Sequence, residues 1–246
     1  MQNFIKIILC LALTLVSVQA SDIRAETNAT LRVAVASNFL TTARMLGEQF
    51  HEQTGIKVLF SSASSGKITT QIEAGAPYDL FLSADMARPE RLVQRGYALP
   101  ESLATYAIGR LILVSREPLK EPLTFNNQRL AIANPKIAPY GLAAEQWLNK
   151  GSHSPKLILG ENINQVWHFF QVGAVPFAIV AASQVQNAPK QPAFNREINV
   201  DQTILAQGLV ILKRTNYPDA AELFRTFILS DTIQTQIVAS GYDRMN

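Results

Sequence analysis

The chain has 246 residues, 48% of them hydrophobic and 17% charged, enough apolar mass for two modest α/β domains and too little polar bias for extended disorder. Its 22 basic and 19 acidic residues give a net charge of +3. No basic stripe runs along the chain, which excludes a nucleic-acid footprint.

The first segment, MQNFIKIILCLALTLVSVQA, carries Lys6, an apolar run from Ile7 to Val18 and the small residue Ala20. This is the layout of a secretory signal peptide spanning residues 1–20, with cleavage after Ala20 or after Ala25. The run falls short of the roughly 20 residues that a membrane span needs. The single cysteine, Cys10, lies inside it, so the exported chain relies on no disulfide, although its compartment would permit one. The expectation is an exported protein, soluble outside the inner membrane. An Asn28-Ala29-Thr30 glycosylation pattern follows, of a kind that is common by chance.

The mature chain reads as alternating elements. LRVAVAS, from Leu31 to Ser37, is β-branched and apolar and predicts a buried strand. Leu40, Ala43, Leu46 and Phe50 then recur at helical spacing up to Gly55. IKVLFSS predicts a second strand, GKITTQIEAG a short helix closed by Gly75, YDLFLSAD a third strand, and MARPERLVQRG a helix to Gly96. Strand alternating with helix is the rhythm of a parallel sheet. After GRLILVS (Gly109 to Ser115) and a loop from Glu117 to Gln128, a second series begins. It comprises strand RLAIANP, helix GLAAEQWLNKG, strand KLILG, helix INQVWHFFQVG and strand FAIVAA. The strand GLVILKR and two helices close the chain, the last with Asp231 as its N-cap. The pattern predicts two α/β lobes, residues 31–108 with 209–246 and residues 109–208, joined by two crossing strands that form a hinge. A ligand would lie in the cleft between them.

Ligands of parallel α/β units bind beyond the carboxyl ends of strands, where helix N-termini offer unpaired N–H groups and partial positive charge. Such ends accept anions, most readily where small residues permit close approach. Ser37 and Ser65-Gly66 stand at strand-to-helix joints of the first lobe, and Tyr140-Gly141 and Asn162-Ile163 at those of the second. Each serine or asparagine has an ordinary alternative as a helix cap. One cap needs only one serine, however, and the segment from Ser61 to Ser65 holds four. Lys67 reads as a solvated residue of the first helical turn or as a cation for the ligand.

Other chemistry finds little support. SSASSGKI lacks the leading glycine of a phosphate-binding loop and the hydroxyl after its lysine. No G-x-S-x-G elbow is present. His51, His153 and His168 are scattered, and HEQTG is not a zinc motif. Asp79 and Asp85 flank a strand and read as a buried structural carboxylate and a helix cap rather than as an acid–base pair.

VAVASNF, SSASSGKITTQIEAGAPYDLFLSAD and NPKIAPYGLAAEQWL resemble the periplasmic molybdate-binding proteins of ABC transporters, the ModA family. The resemblance runs in one order from about Leu31 to Gly241, and QIEAGAPYDLFLSAD is its most specific part. It implies the type II periplasmic-binding-protein fold, two α/β lobes closing on a tetrahedral oxyanion. It implies a binding protein rather than an enzyme, without a cofactor, working as a monomer with an inner-membrane permease on molybdate and tungstate. Carried over by position, Ser37 and Ser65 contact the anion, the backbone N–H groups of Tyr140 and Ile163 donate to it, and Asn38 is a weaker candidate. Molybdenum would be bound only as the oxyanion, with no direct protein ligand. Many members place an anion-binding tyrosine where this chain has Ala181. A fully deprotonated dianion accepts hydrogen bonds only, which suits loops whose sole nearby carboxylate is Glu161. Sulfate makes the same demands, so another tetrahedral oxyanion is the alternative ligand. An exported serine hydrolase is the alternative of a different class, and no histidine lies near these loops in the sequence to serve it.

Overall fold

A computed structural model describes residues 29–119, 125, 127–151 and 154–244. The signal-peptide segment with Cys10, Asn28 of the glycosylation pattern, and His153 lie outside the described residues.

The first half opens with β1 (Thr30–Ala36), whose Leu31, Val33 and Val35 are fully buried. A 3-10 turn (Ser37–Phe39) leads straight into α1 (Leu40–Thr54), which buries Ala43, Leu46 and Phe50 as its spacing predicts. Gly55 ends the helix at φ 77°, where a side chain would be strained, and donates its N–H to His51 O at 2.8 Å. There follow β2 (Lys57–Ala63), α2 (Ser65–Glu73), β3 (Leu80–Leu82), α3 (Ala87–Gln94) and β4 (Ala104–Ile108). With β10 (Ala206–Ile211) these strands form a five-stranded sheet in the order β2-β1-β3-β10-β4. β1 pairs in parallel with β2 and β3, while β10 runs antiparallel to β3 and β4. The register pairs Ala36 with Ala63, so the chain leaves both strands at one level and brings Ser37 and Ser64 to the same sheet edge.

The second half repeats the plan. It contains β5 (Leu111–Ser115), β6 (Arg129–Ala133), α4 (Pro139–Lys150), β7 (Lys156–Gly160), α5 (Ile163–Gln171), β8 (Phe177–Ala181), α6 (Ala182–Gln186) and β9 (Phe194–Ile198). Its sheet order is β7-β6-β8-β5-β9, with β6 parallel to β7 and β8. Ala133 pairs with Gly160, which levels the exits toward α4 and α5 as in the first sheet. Leu113, Ile132, Val166 and Val180 build this half's core, while Val33, Leu46, Leu82 and Phe224 build the other. Ala36 and Ala84 of the first half pack into the second core, so the two halves meet at the sheet edges. The chain ends with α7 (Pro218–Leu229) and α8 (Asp231–Ala239) against the first sheet.

Several expectations need correction. A boundary at Leu209 cuts through β10, because Ala206 already pairs with Ile108. Ser230, not Asp231, is the N-cap of α8: Ser230 has extended backbone angles and Asp231 is the first helical residue. The strand expected over YDLFLSAD is confined to Leu80–Leu82, although the amides of Asp79 and Ser83 at its ends still donate to Arg32 O and Gly208 O of the neighbouring strands. The crossings themselves are the short link 109–110 and the segment 199–205, which lie side by side, with Gly109 N–H donating to Leu205 O at 2.8 Å. The strands β4 and β5 and β9 and β10 flank these links.

Candidate functional site

The starts of α1, α2, α4 and α5 converge on one cavity between the halves. Ser37 and Asn38 line it from the 3-10 turn, Ser64 and Ser65 from α2, Ala138, Pro139 and Tyr140 from α4, and Ile163 from α5, with Ala36 and Ala84 closing it. The centre of a water-sized sphere can reach about 10 Å³ of it. That is room for one compact guest and far below the several hundred Å³ of a site for an extended ligand. The cleft around it is shut. Gly66 N–H donates to Ile137 O at 2.9 Å across it, and Lys67 pairs with Glu161 at 3.7 Å.

What the site offers is a set of hydrogen-bond donors. Ser64 occupies the N-cap position of α2 with extended backbone angles, yet its side chain makes no cap bond. Its Oγ is the buried side-chain nitrogen or oxygen without a hydrogen-bond partner among the described residues. Leaving a buried hydroxyl unpaired costs about 1–3 kcal/mol, so this one is poised for a guest. Ser65 is 1% exposed; its Oγ accepts from Ala84 N–H at 3.0 Å and keeps its own proton to donate. Pro139 brings no N–H, so Tyr140 supplies the first donor of α4. In α5 the Asn162 side chain accepts from the N–H groups of Asn164 and Gln165 at 3.0 and 3.1 Å, the second and third of the helix. The first, on Ile163, is left without that cap and has no intrahelical acceptor.

No carboxylate, histidine, lysine or arginine lines the cavity among the described residues. Lys67 and Glu161 have side chains 55% and 69% exposed and pair with each other at the rim. Asp79 accepts from Arg32 N–H and the Thr215 hydroxyl, and Asp85 from the Ser83 hydroxyl and Arg88; both are structural. His51 and His168 are exposed on helices. Tyr140 of the lining is joined by the buried Tyr106 and Tyr242 behind it. Burial, above all, pushes all three phenols above their ordinary range, and they stay protonated. The walls therefore carry donors, partial positive charge from helix ends, and no proton acceptor of carboxylate type. This arrangement is suited to a small anion that has already lost its protons.

The structure brings Ser37, Ser65, Tyr140 and Ile163 together as the sequence suggested. Asn38 lines the cavity too, but its Nδ2 donates to Gln207 Oε1 at 2.9 Å and lies 3.5 Å from the Tyr242 hydroxyl. Ala181 is buried at the end of β8 away from the cavity wall, and its N–H is held by Gln184 Oε1 at 3.1 Å. The same Gln184 donates to Ile163 O at 3.1 Å and so fixes the start of α5. Sequence reasoning missed the separate part of Ser64, whose only signal was the surplus of serines. Gly66, named in the sequence beside Ser65, has a further part that only the structure reveals: a Cβ there would stand 2.9 Å from Ile137 O and 3.0 Å from Ile137 Cα.

A family model described as bacterial extracellular solute-binding protein matches residues 31–243. The chain belongs to the bacterial extracellular solute-binding proteins. Within that family it is a ModA homologue. It is 34% identical over 230 residues to the molybdate-binding protein ModA of Azotobacter vinelandii, covering 87% of this chain and 90% of that one. It is 42% identical over 161 residues to the molybdate-binding protein ModA of Rhodobacter capsulatus, across 62% of this chain and 64% of that relative's length. The solved Azotobacter vinelandii periplasmic molybdate-binding protein superposes with a TM-score of 0.77 at 34% identity, covering 88% of this chain and all of that one. This ModA homologue therefore has the periplasmic-binding-protein fold that the resemblance implied, with the two α/β lobes that its strand pattern predicted.

Proposed function

We infer that this protein captures molybdate in the cleft and hands it to an ABC transporter permease at the inner membrane. The observation that carries the reading is the unpartnered, buried Ser64 hydroxyl in a shut cavity built from four helix starts, whose lining among the described residues holds no carboxylate, histidine, lysine or arginine. The names of its relatives supply the choice of molybdate among small dianions. Ser37, Ser64, Ser65 and the N–H groups of Tyr140 and Ile163 are its donors, with Asn38 contributing through its backbone. The metal itself meets no protein atom, because oxygens face outward on every side of the anion. Tungstate has the same shape and charge and binds alike. The lobes, residues 31–108 with 206–246 and 109–205, close about the crossing links as a monomer exported by the signal peptide. Phosphate, which partly retains a proton near neutral pH, finds no carboxylate to receive it. A serine nucleophile finds no histidine or carboxylate base in the lining among the described residues, which favours binding over hydrolysis.

Calorimetry of the ligand-stripped mature protein tests this. Molybdate and tungstate are expected to bind at one site per chain, sulfate far more weakly and phosphate not at all. Equal affinity for sulfate would make the site a general tetrahedral-oxyanion receptor, and no heat with any of the four would end the reading.

A further inference from the structure

Beneath the cavity a buried polar cluster spans both halves of the protein, and Gln207 of β10, fully buried, stands at its centre. Gln207 Oε1 accepts from Asn38 Nδ2 at 2.9 Å, and the Tyr106 hydroxyl lies 2.9 Å from the same oxygen. Gln207 Nε2 donates to the Tyr140 hydroxyl at 3.3 Å. Asn38 belongs to the turn before α1 in the first half, and Tyr140 to the start of α4 in the second. One amide thus holds both sides of the cavity without lining it.

Local structure is shaped around this contact. β10 slips its register against β4 between Gln207 and Gly208, and such a bulge re-aims a side chain. Gly109, in the crossing link, leaves room for the contact: a Cβ there would overlap the Tyr140 hydroxyl and stand 2.9 Å from Gln207 Nε2. The cluster also needs an amide specifically. One end must accept and the other donate, which neither a carboxylate nor an aliphatic side chain can do.

We propose that Gln207 is a positioning residue for the anion site: its amide clasps the Tyr140 hydroxyl and so holds the Tyr140 backbone N–H in register with the Ser37 turn when the cleft is shut. The clasp rests on the molybdate-capture reading and deepens it, since it sets how long the anion stays without touching it.

Two variants of the mature protein test the clasp. Tyr140→Phe removes one hydroxyl and keeps the backbone N–H, and Gln207→Met removes the amide at similar volume. With sodium molybdate as the probe, calorimetry and stopped-flow release should show each variant binding about tenfold more weakly. The loss should fall on the release rate, with capture unchanged, as is usual for changes within one interface. The double variant should lose no more than Gln207→Met alone, because both changes break the same bond. A merely structural role would lower the melting temperature of the ligand-free protein and leave release at the wild-type rate, and that result overturns the proposal. If Gln207→Met does not fold, Tyr140→Phe decides alone. Wild-type protein in the same titration separates the two readings. If it ignores molybdate, capture fails and the clasp with it; if it binds and Tyr140→Phe releases at the wild-type rate, only the clasp fails.

Discussion

Replacing Ser64 by alanine separates a ligand contact from a helix cap by the sign of its effect. An N-cap serine normally loses about 1 kcal/mol of stability on truncation because its oxygen holds a helical N–H. Ser64 holds none: its Oγ is buried and has no partner among the described residues. Removing it breaks no protein hydrogen bond and relieves a desolvated hydroxyl, so the ligand-free protein should keep its stability or gain about 1 kcal/mol. The anion, in contrast, loses a charge-assisted hydrogen bond worth about 1.5–3 kcal/mol, an affinity loss of about 10- to 150-fold. At a molybdate concentration one thousand times the wild-type Kd, wild type should gain about 4 kcal/mol against unfolding. The variant should gain about 1.5–3 kcal/mol less. Thermal melts of ligand-stripped protein with and without molybdate, together with calorimetric titration, read both quantities. A variant that melts earlier without ligand and binds molybdate as wild type does would show that Ser64 is an ordinary cap and refute the reasoning.

Gly66→Ala should act on closure: its Cβ would press on Ile137 backbone atoms at 2.9–3.0 Å, whereas alanine favours the helix by up to about 1 kcal/mol. The ligand-free protein should be at least as stable as wild type while molybdate affinity falls more than tenfold, and solution scattering should lose the ligand-induced decrease in radius of gyration expected of wild type. Lys67→Ala breaks only a half-exposed rim pair with Glu161, so affinity should change by less than about 1 kcal/mol and the change should vanish at high salt in a calorimetric series. The buried Tyr106, Tyr140 and Tyr242 hold their phenolic protons more tightly when folded than unfolded. Their contribution to stability is therefore complete below the ordinary tyrosine pKa of about 10 and is lost as pH rises beyond it, so denaturant midpoints should show no loss from these groups from pH 6 to 9 and a steep fall above pH 10.

Much of this fold was legible because it follows from local periodicity. Short apolar, β-branched runs marked β1, β6 and β8, which are buried on both faces, and 3.6-residue stripes marked helices such as α1, which bury one face. β9 escaped notice because FNREI is mostly exposed and carries no apolar run. β4 was hidden because ATYAI is short and lies beside a stronger strand. α6 spans only five residues, too few for a period to show.

The sequence alone determined that four strand-to-helix joints carry small or donor-rich residues, because glycine, serine and asparagine punctuate helix starts for chemical reasons that need no neighbour. The tertiary structure decided which of those donors remain unused. Asn162 turned out to be a true cap, Ser64 one only by position, and Asn38 a partner of Gln207, residues separated by 169 positions in the chain. It also placed Lys67 at the rim against Glu161 rather than in the cavity. The physical reason is that a hydrogen-bonding group is free or spent according to what packs against it. That depends on strand register and on the meeting of two sheets, neither of which any single window of sequence contains.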